Sequence, residues 1–219
     1  MKSALIYAVI TVVSLLPVLG QQTTRGHNEA AYIRVVTERA AKIVEKLGIS
    51  DPQKLARVQT LIANQYQGLN AIHESWKMAL SAPDANNNKA AIEADAASKL
   101  TDLHKTYLAS LARELTPQQV EQVKDGMTYG VLPITYKGYQ AMLPDLTDAQ
   151  KEQILAYLTE ARERAMDEGS SKEKHAMFGK YKGRINNYLS AAGIDMKKAS
   201  KEWEERIAKE KEAEKLKKS

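Results

Sequence analysis

The sequence predicts an all-α protein, a single helical-bundle-like domain of six or seven helices built around a long antiparallel hairpin. Three observations lead there. Apolar residues recur at steps of three and four through most of the 219 residues, which is the signature of amphipathic helices. Two of these periodic segments are very long and are joined by a short polar turn. The phrase Leu-Thr-x-x-Gln stands at 115–119 and again at 146–150, with a looser copy at 49–53, and a helical pattern follows each.

The elements follow in order. Lys2 and the apolar run from Ala4 to Leu16, with Val18-Leu19-Gly20 behind it, have the layout of a secretory signal peptide over residues 1–20. Cleavage after Gly20 is expected, which places the protein in the periplasm or outside the cell. The helical domain then covers 21–195, and 196–219 forms a charged C-terminal helical extension. A first helix runs from His27 to Leu47, with Ile33, Val36, Ala40, Ile43 and Leu47 inward, and closes at Gly48. A second runs from Ser50 to about Leu80. Its seam is Leu55, Val58, Ile62, Gln65, Leu69, Ile72, Trp76 and Ala79, a heptad pattern with one polar member.

Residues 81–88 read as a turn. A third helix follows to Glu114 with Ile92, Ala96, Leu100, Leu103, Tyr107 and Leu111 inward. Folding the hairpin about its turn sets Gln65 roughly level with His104, so a polar layer is expected there, with His104 a hydrogen-bonded core residue. Thr116, Pro117 and Gln119 then supply an N-cap, a first-turn proline and the return arm of a capping box, with Leu115 and Val120 as a hydrophobic staple. That short helix ends near Met127. Gly126 to Pro144, with five glycines and prolines among three tyrosines, reads as the least regular stretch. The second Leu-Thr-x-x-Gln opens a helix to about Asp167. Ser170 and Glu173 open another that ends near Gly193. Asp195 caps the last, where Glu202–Arg206, Glu205–Lys209 and Glu214–Lys218 are supportive pairs on a solvated helix.

Composition excludes several classes of function. There is no cysteine, so disulfides, thiolate metal sites and thiol nucleophiles are out. The formal charge is +5, but +3 of it lies from Lys197 onward and the body is near +1. A nucleic-acid partner is therefore not expected. Past the leader no stretch is long and apolar enough to span a membrane. His27, His73, His104 and His175 have no two-histidine spacing on one helical face, so neither a metal nor any other cofactor is expected. Phosphate-loop and nucleophile-elbow motifs are absent, and the catalytic residues, if there are any, stay unassigned.

Two regions are candidate ligand surfaces. On the helix around 178–188, Phe178, Tyr181, Ile185, Tyr188, Leu189 and Ala192 share a core-facing arc. Gly179, Gly183, Asn186 and Ser190 share a second arc, and Lys180, Arg184 and Asn187 a third. Two glycines inside a helix cost about 1 kcal/mol each. Close packing of another helix on their face would offset that cost. The alternative is a groove floor beside Lys180 and Arg184 suited to a carboxylate-bearing or sulfated ligand. His175, one turn earlier, could carry a proton beside that face. The other region is the stretch bearing Tyr129, Tyr136 and Tyr139, whose rings can stack on sugars.

The blocks 115–133 (LTPQQVEQVKDGMTYGVLP) and 165–190 (AMDEGSSKEKHAMFGKYKGRINNYLS) resemble the hallmark blocks of a secreted helical family of Bacteroidetes, domain of unknown function 3826, over about residues 30–205. The resemblance implies an exported helical protein encoded among polysaccharide-utilisation genes, and it carries no catalytic residues. A weaker resemblance, limited to Leu115-Thr116-Gln119 and Leu146-Thr147-Gln150, is to periplasmic stress chaperones. The expected activity is non-enzymatic binding of an acidic oligosaccharide or of a partner protein. A lyase acting on acidic sugars and a chaperone-like envelope protein are the alternatives.

Overall fold

The computed structural model describes the backbone of residues 18–218 and the side chains of 29–213 and 216. The apolar core of the expected leader lies outside the described residues. Eight α-helices follow one another: α1 (Val18–Val44), α2 (Pro52–Leu80), α3 (Ala85–Glu114), α4 (Pro117–Met127), α5 (Val131–Met142), α6 (Asp148–Met166), α7 (Ser171–Ala191) and α8 (Met196–Lys218). Among the described residues no strand occurs, and no helix is long and apolar enough to cross a membrane.

Helix starts obey the capping chemistry. Thr116 and Thr147 each accept a hydrogen bond from the backbone N–H of the glutamine three residues on. That glutamine side chain bonds back to the cap N–H in both cases. At the looser copy the cap is Asp51 rather than Ser50. Its carboxylate accepts from the Gln53 N–H at 2.9 Å, with Pro52 in the first helical position. A 3-10 turn, Glu45–Leu47, ends the first helical segment at Gly48, which takes φ +65°. Among the described residues the chain is already helical from Val18, ahead of the His27 start that the apolar periodicity implies.

α5, the helix beyond the seven expected, is the segment expected to be irregular. Gly126 sits inside α4, and Gly130 is the left-handed N-cap of α5. Pro133 occupies the first turn, where its missing N–H is not needed, and Pro144 lies just past the end. The residues that signalled a loop are the boundary markers of a short helix.

Two cores result. Val36, Ala40 and Val44 of α1, Val58 and Ile62 of α2, Tyr107 and Leu111 of α3, and Val123 and Met127 of α4 form the first. Leu132 and Tyr139 of α5, Ile154 and Leu158 of α6, and Phe178, Tyr181, Ile185 and Leu189 of α7 form the second. The α2–α3 and α6–α7 pairs are the two hairpins, and α1 lies along α2. α6 joins the halves: its Met166 belongs to the first core, and its Ile154 to Ala165 face belongs to the second.

Charge is buried along that junction. Arg162 of α6, 3% exposed, donates to Asp125 of α4 at 2.8 Å and also holds Glu121. Lys124 pairs with Glu163 at 3.2 Å, and His104 of α3 with Asp167 at 2.9 Å. His104 is therefore hydrogen-bonded within the fold, but through α6. No hydrogen bond joins it to Gln65, which is buried with its amide nitrogen unpartnered. Nearby, Lys174 of α7 is 4% exposed and donates to the Ala165 and Met166 carbonyls, both at 2.8 Å, closing the C-terminus of α6.

The last helix is charged but not wholly solvated. Ala199 is buried, Trp203 and Ile207 are half-buried, and α8 packs on α5. Arg206 does not pair with Glu202, whose carboxylate lies 3.9 Å from the Lys198 ammonium. Arg206 donates to the Ala141 and Met142 carbonyls at 2.9 and 3.0 Å, filling the open acceptors at the end of α5.

Candidate functional site

The candidate residues of α7 separate in the structure. Phe178, Tyr181, Ile185 and Leu189 anchor one face in the second core, and Tyr188 is half-buried beside them. Ala192 of the same arc is exposed. Arg184 is engaged. Its guanidinium lies 4.9 Å from the Tyr157 ring and 4.8 Å from the Tyr181 ring, and 3.3 Å from the Glu160 carboxylate. Lys180 and Asn187 are exposed and do not converge with it on a common ligand position.

The glycine face settles the packing question. A Cβ built on Gly179 or Gly183 meets no atom within 4 Å, so among the described residues no helix covers that face. The same side of α7 is bridged at both ends, by Tyr129 just ahead of α5 and by Tyr139 within it. Tyr129 stacks on His175 with ring centroids 5.3 Å apart, and the Tyr139 hydroxyl donates to Asn186 Oδ1 at 2.8 Å. Tyr139 is buried and its phenol is pushed up to about 12 by desolvation. It is a core residue with a satisfied hydroxyl. Tyr136 is half-buried against the second core. Because open helical glycines give up propensity without a compensating contact, Gly179→Ala and Gly183→Ala are each expected to stabilise the protein by about 0.5–1 kcal/mol. Urea titration reads this directly, and a loss of stability would show that the face is covered.

A better-formed site lies next to Tyr129. α1 and α4 run antiparallel, with the Gln119 amide donating to the Leu47 carbonyl at 2.9 Å. They touch at Gly126, where a Cβ would stand 2.8 Å from Ile43 Cγ1. Above that contact a groove of about 610 Å³ opens, within the range of small-ligand sites. Arg39, Lys42 and Lys46, at helical steps of three and four, line one side. Tyr66, Tyr129 and Ile134 line the end beyond Gly126. The lining is mostly apolar, and Ile134 is 69% exposed. Asp125, the acid at its edge, is held by Arg162. No described carboxylate comes within ion-pair distance of Arg39, Lys42 or Lys46. Sequence reading missed these three cations; their shared helical face was legible, but nothing in one sequence shows that α4 lies beside it.

Tyr129 is held in an unusual backbone state. It has φ +60°, the single positive-φ residue other than glycine among those described. It stands at the first position past the α4 cap, where the Gly130 N–H bonds to the Asp125 carbonyl at 2.8 Å and its own N–H to Gly126 at 3.4 Å. This is the Schellman arrangement, in which that position is usually glycine. A left-handed backbone costs a side-chain-bearing residue about 1–2 kcal/mol. The strain holds a large ring, 43% exposed, at the groove mouth, a pattern found at ligand-contacting positions. Tyr129→Gly is therefore expected to be about 1 kcal/mol more stable than Tyr129→Ala, which loses the ring but keeps the strain. Equal stability in denaturant titrations would remove the strain argument.

A family model described as "Protein of unknown function (DUF3826)" matches residues 33–209, a span that includes the groove, both hairpins and most of α8. No curated protein matches the chain.

Proposed function

We propose, from the premise that the chain belongs to the DUF3826 family of proteins of unknown function, that it is an exported, non-enzymatic protein that binds acidic oligosaccharides of polysaccharide breakdown in the groove between α1 and the α4–α5 junction. One observation carries the reading: three cations without carboxylate partners stand over an apolar floor, with a strained tyrosine ring at its end. Cations bind carboxylate or sulfate groups, and an exposed aromatic ring stacks on the apolar face of a sugar. The leader-like start of the sequence supports export.

Calorimetric titration with uronic-acid oligosaccharides at low salt tests it. Wild type is expected to bind. The combined Arg39→Ala, Lys42→Ala and Lys46→Ala variant is expected to bind about thirtyfold more weakly, each exposed charge contributing up to about 1 kcal/mol. All three side chains are exposed, so the variant keeps its helical circular dichroism. Absence of wild-type binding, or an unchanged affinity in the triple variant, sinks the reading. A second reading, a lyase acting on the same sugars, is favoured by the contact of Tyr129 with His175 beside the groove. Unsaturated products absorbing near the ultraviolet edge would establish it.

A further inference from the structure

We infer that the groove selects a linear polyanion of at least three anionic units, lying along α1 with its end unit against Tyr129, over a single anion. The inference deepens the binding reading above and rests on it. Arg39 and Lys42 of α1 and Lys46 of the 3-10 turn that continues it form a ladder along one side of the groove. Arg39 and Lys42 are separated along the axis by about 4.5 Å at the α-helical rise, and Lys42 and Lys46 by about 7 Å because the 3-10 turn rises more per residue. Those steps are comparable to the advance of one pyranose unit along an extended chain. The groove has a direction as well. Leu47 meets Gln119 at one end and Ile43 meets Gly126 in the middle. Arg39 lies at the Tyr129 end, where it and Tyr129 both act on the Tyr66 phenol.

The two ends differ chemically. At the Tyr129 end an aromatic ring, the apolar Ile134 and a guanidinium converge, suited to stacking one ring and holding its planar carboxylate in a two-point fork. Further along, two lysines supply point charges that accept either carboxylate or sulfate without strict geometry. No described carboxylate pairs with any of the three, and the nearby Asp125 is taken by Arg162 at 2.8 Å. A single anion can satisfy one rung only. A chain with an anion on every unit satisfies all three without bending away from the floor.

The test is calorimetric titration of the full chain with uronic-acid oligomers of one, two, three, four and six units. Neutral oligomers of equal length serve as controls, and sulfated oligomers of the same lengths as a parallel arm. Affinity is expected to rise roughly fourfold with each added unit up to the trimer and to stay flat beyond it. In Lys46→Gln the trimer is expected to bind no more tightly than the dimer. Steps appearing only in the sulfated arm support the ladder and identify sulfate as the preferred anion. Acidic oligomers that bind with the same affinity at every length overturn the ladder while leaving the binding reading standing. Affinity that keeps climbing past the trimer also overturns it, since diffuse attraction would then suffice. No binding by any acidic oligomer overturns the binding reading itself.

Discussion

Arg162→Ala is expected to lower the unfolding free energy by about 3–5 kcal/mol, the usual loss when one partner of a buried ion pair is removed. The Arg162 side chain is 4% exposed and holds Asp125, Glu121 and Glu163. These contacts join α4 to α6, and so the first core to the second. Arg162→Met, which keeps the volume without burying a charge, is expected to lose less. The acid side of the stability profile should also move. Burial alone would raise the Glu163 carboxyl, but the His104 imidazolium, Lys124 and Arg162 outweigh it and hold it at about 2 against an ordinary 4.5. Its contribution is therefore complete above about pH 4.5 and is lost as pH falls through about 2. His104 is held at about 9 against 6.5, first by its bond to Asp167 and then by Glu163, with burial opposing. Its contribution is complete below pH 6.5 and is lost as pH rises through about 9. Full stability from this cluster spans about pH 4.5 to 6.5. Removing Arg162 takes away one of the cations that lower Glu163, so the acid limb should still begin near pH 4.5 but be smaller and end at a higher pH. Urea titrations across that range measure both effects; a limb that does not move would show that Arg162 has no part in setting the Glu163 proton affinity.

This cluster marks where reading one sequence stops. The α2–α3 hairpin was legible because its seam repeats in threes and fours, and Gly68 does meet Leu103 across it, with a Cβ position 3.1 Å from the leucine methyls. That register puts His104 near the level of Gln65, as the folding of the hairpin implies. The histidine bonds to α6 because a third helix lies there, and periodicity within a segment says nothing about which later segment will cover it. The stretch from Gly126 to Pro144 failed for a different reason. Glycine and proline interrupt helices in their interiors but favour their ends, and a twelve-residue helix is nearly all ends. Its tyrosines were visible as chemistry but not as geometry. Tyr139 points into a hydrogen bond with Asn186, whereas Tyr129 takes a left-handed backbone, a conformation its neighbour Gly130 also takes at less cost. The α7 glycines were recognised as costly, and of the two accounts of that cost the covering helix is the one not seen among the described residues. Arg184 looked available on a helical wheel, although Glu160 and Tyr157 reach it from α6, which a wheel of α7 alone does not show, and the Tyr181 ring lies beside it on α7 itself.

Lys174→Met is expected to cost about 2–4 kcal/mol at neutral pH, with a loss that grows in alkali. The ammonium donates to the Ala165 and Met166 carbonyls at the end of α6, both at 2.8 Å. Positive charge is favoured there by the helix dipole. Methionine fills the volume but leaves buried carbonyls unpaired, at about 1–3 kcal/mol each. Loss of the buried charge offsets part of this, because desolvation penalises the ammonium and lowers the Lys174 pKa from 10.5 to about 8, while Asp167 and Glu168 oppose the shift. The sign of the pH dependence follows from that lowering. Between about pH 8 and 10.5 the unfolded chain holds a proton on Lys174 that the folded protein has given up, so the wild-type contribution rises with pH. It is complete above 10.5 and is lost as pH falls through about 8. The neutral amine still donates to the carbonyls, so folding gains from it without burying a charge. Methionine cannot follow this rise, and the gap between wild type and variant should widen from pH 8 to 10.5. His104 and the tyrosine phenols titrate in both proteins and cancel in the difference. A gap that narrows over that range would show that Lys174 is charged and stabilising in the fold, and that the helix dipole outweighs desolvation at the end of α6.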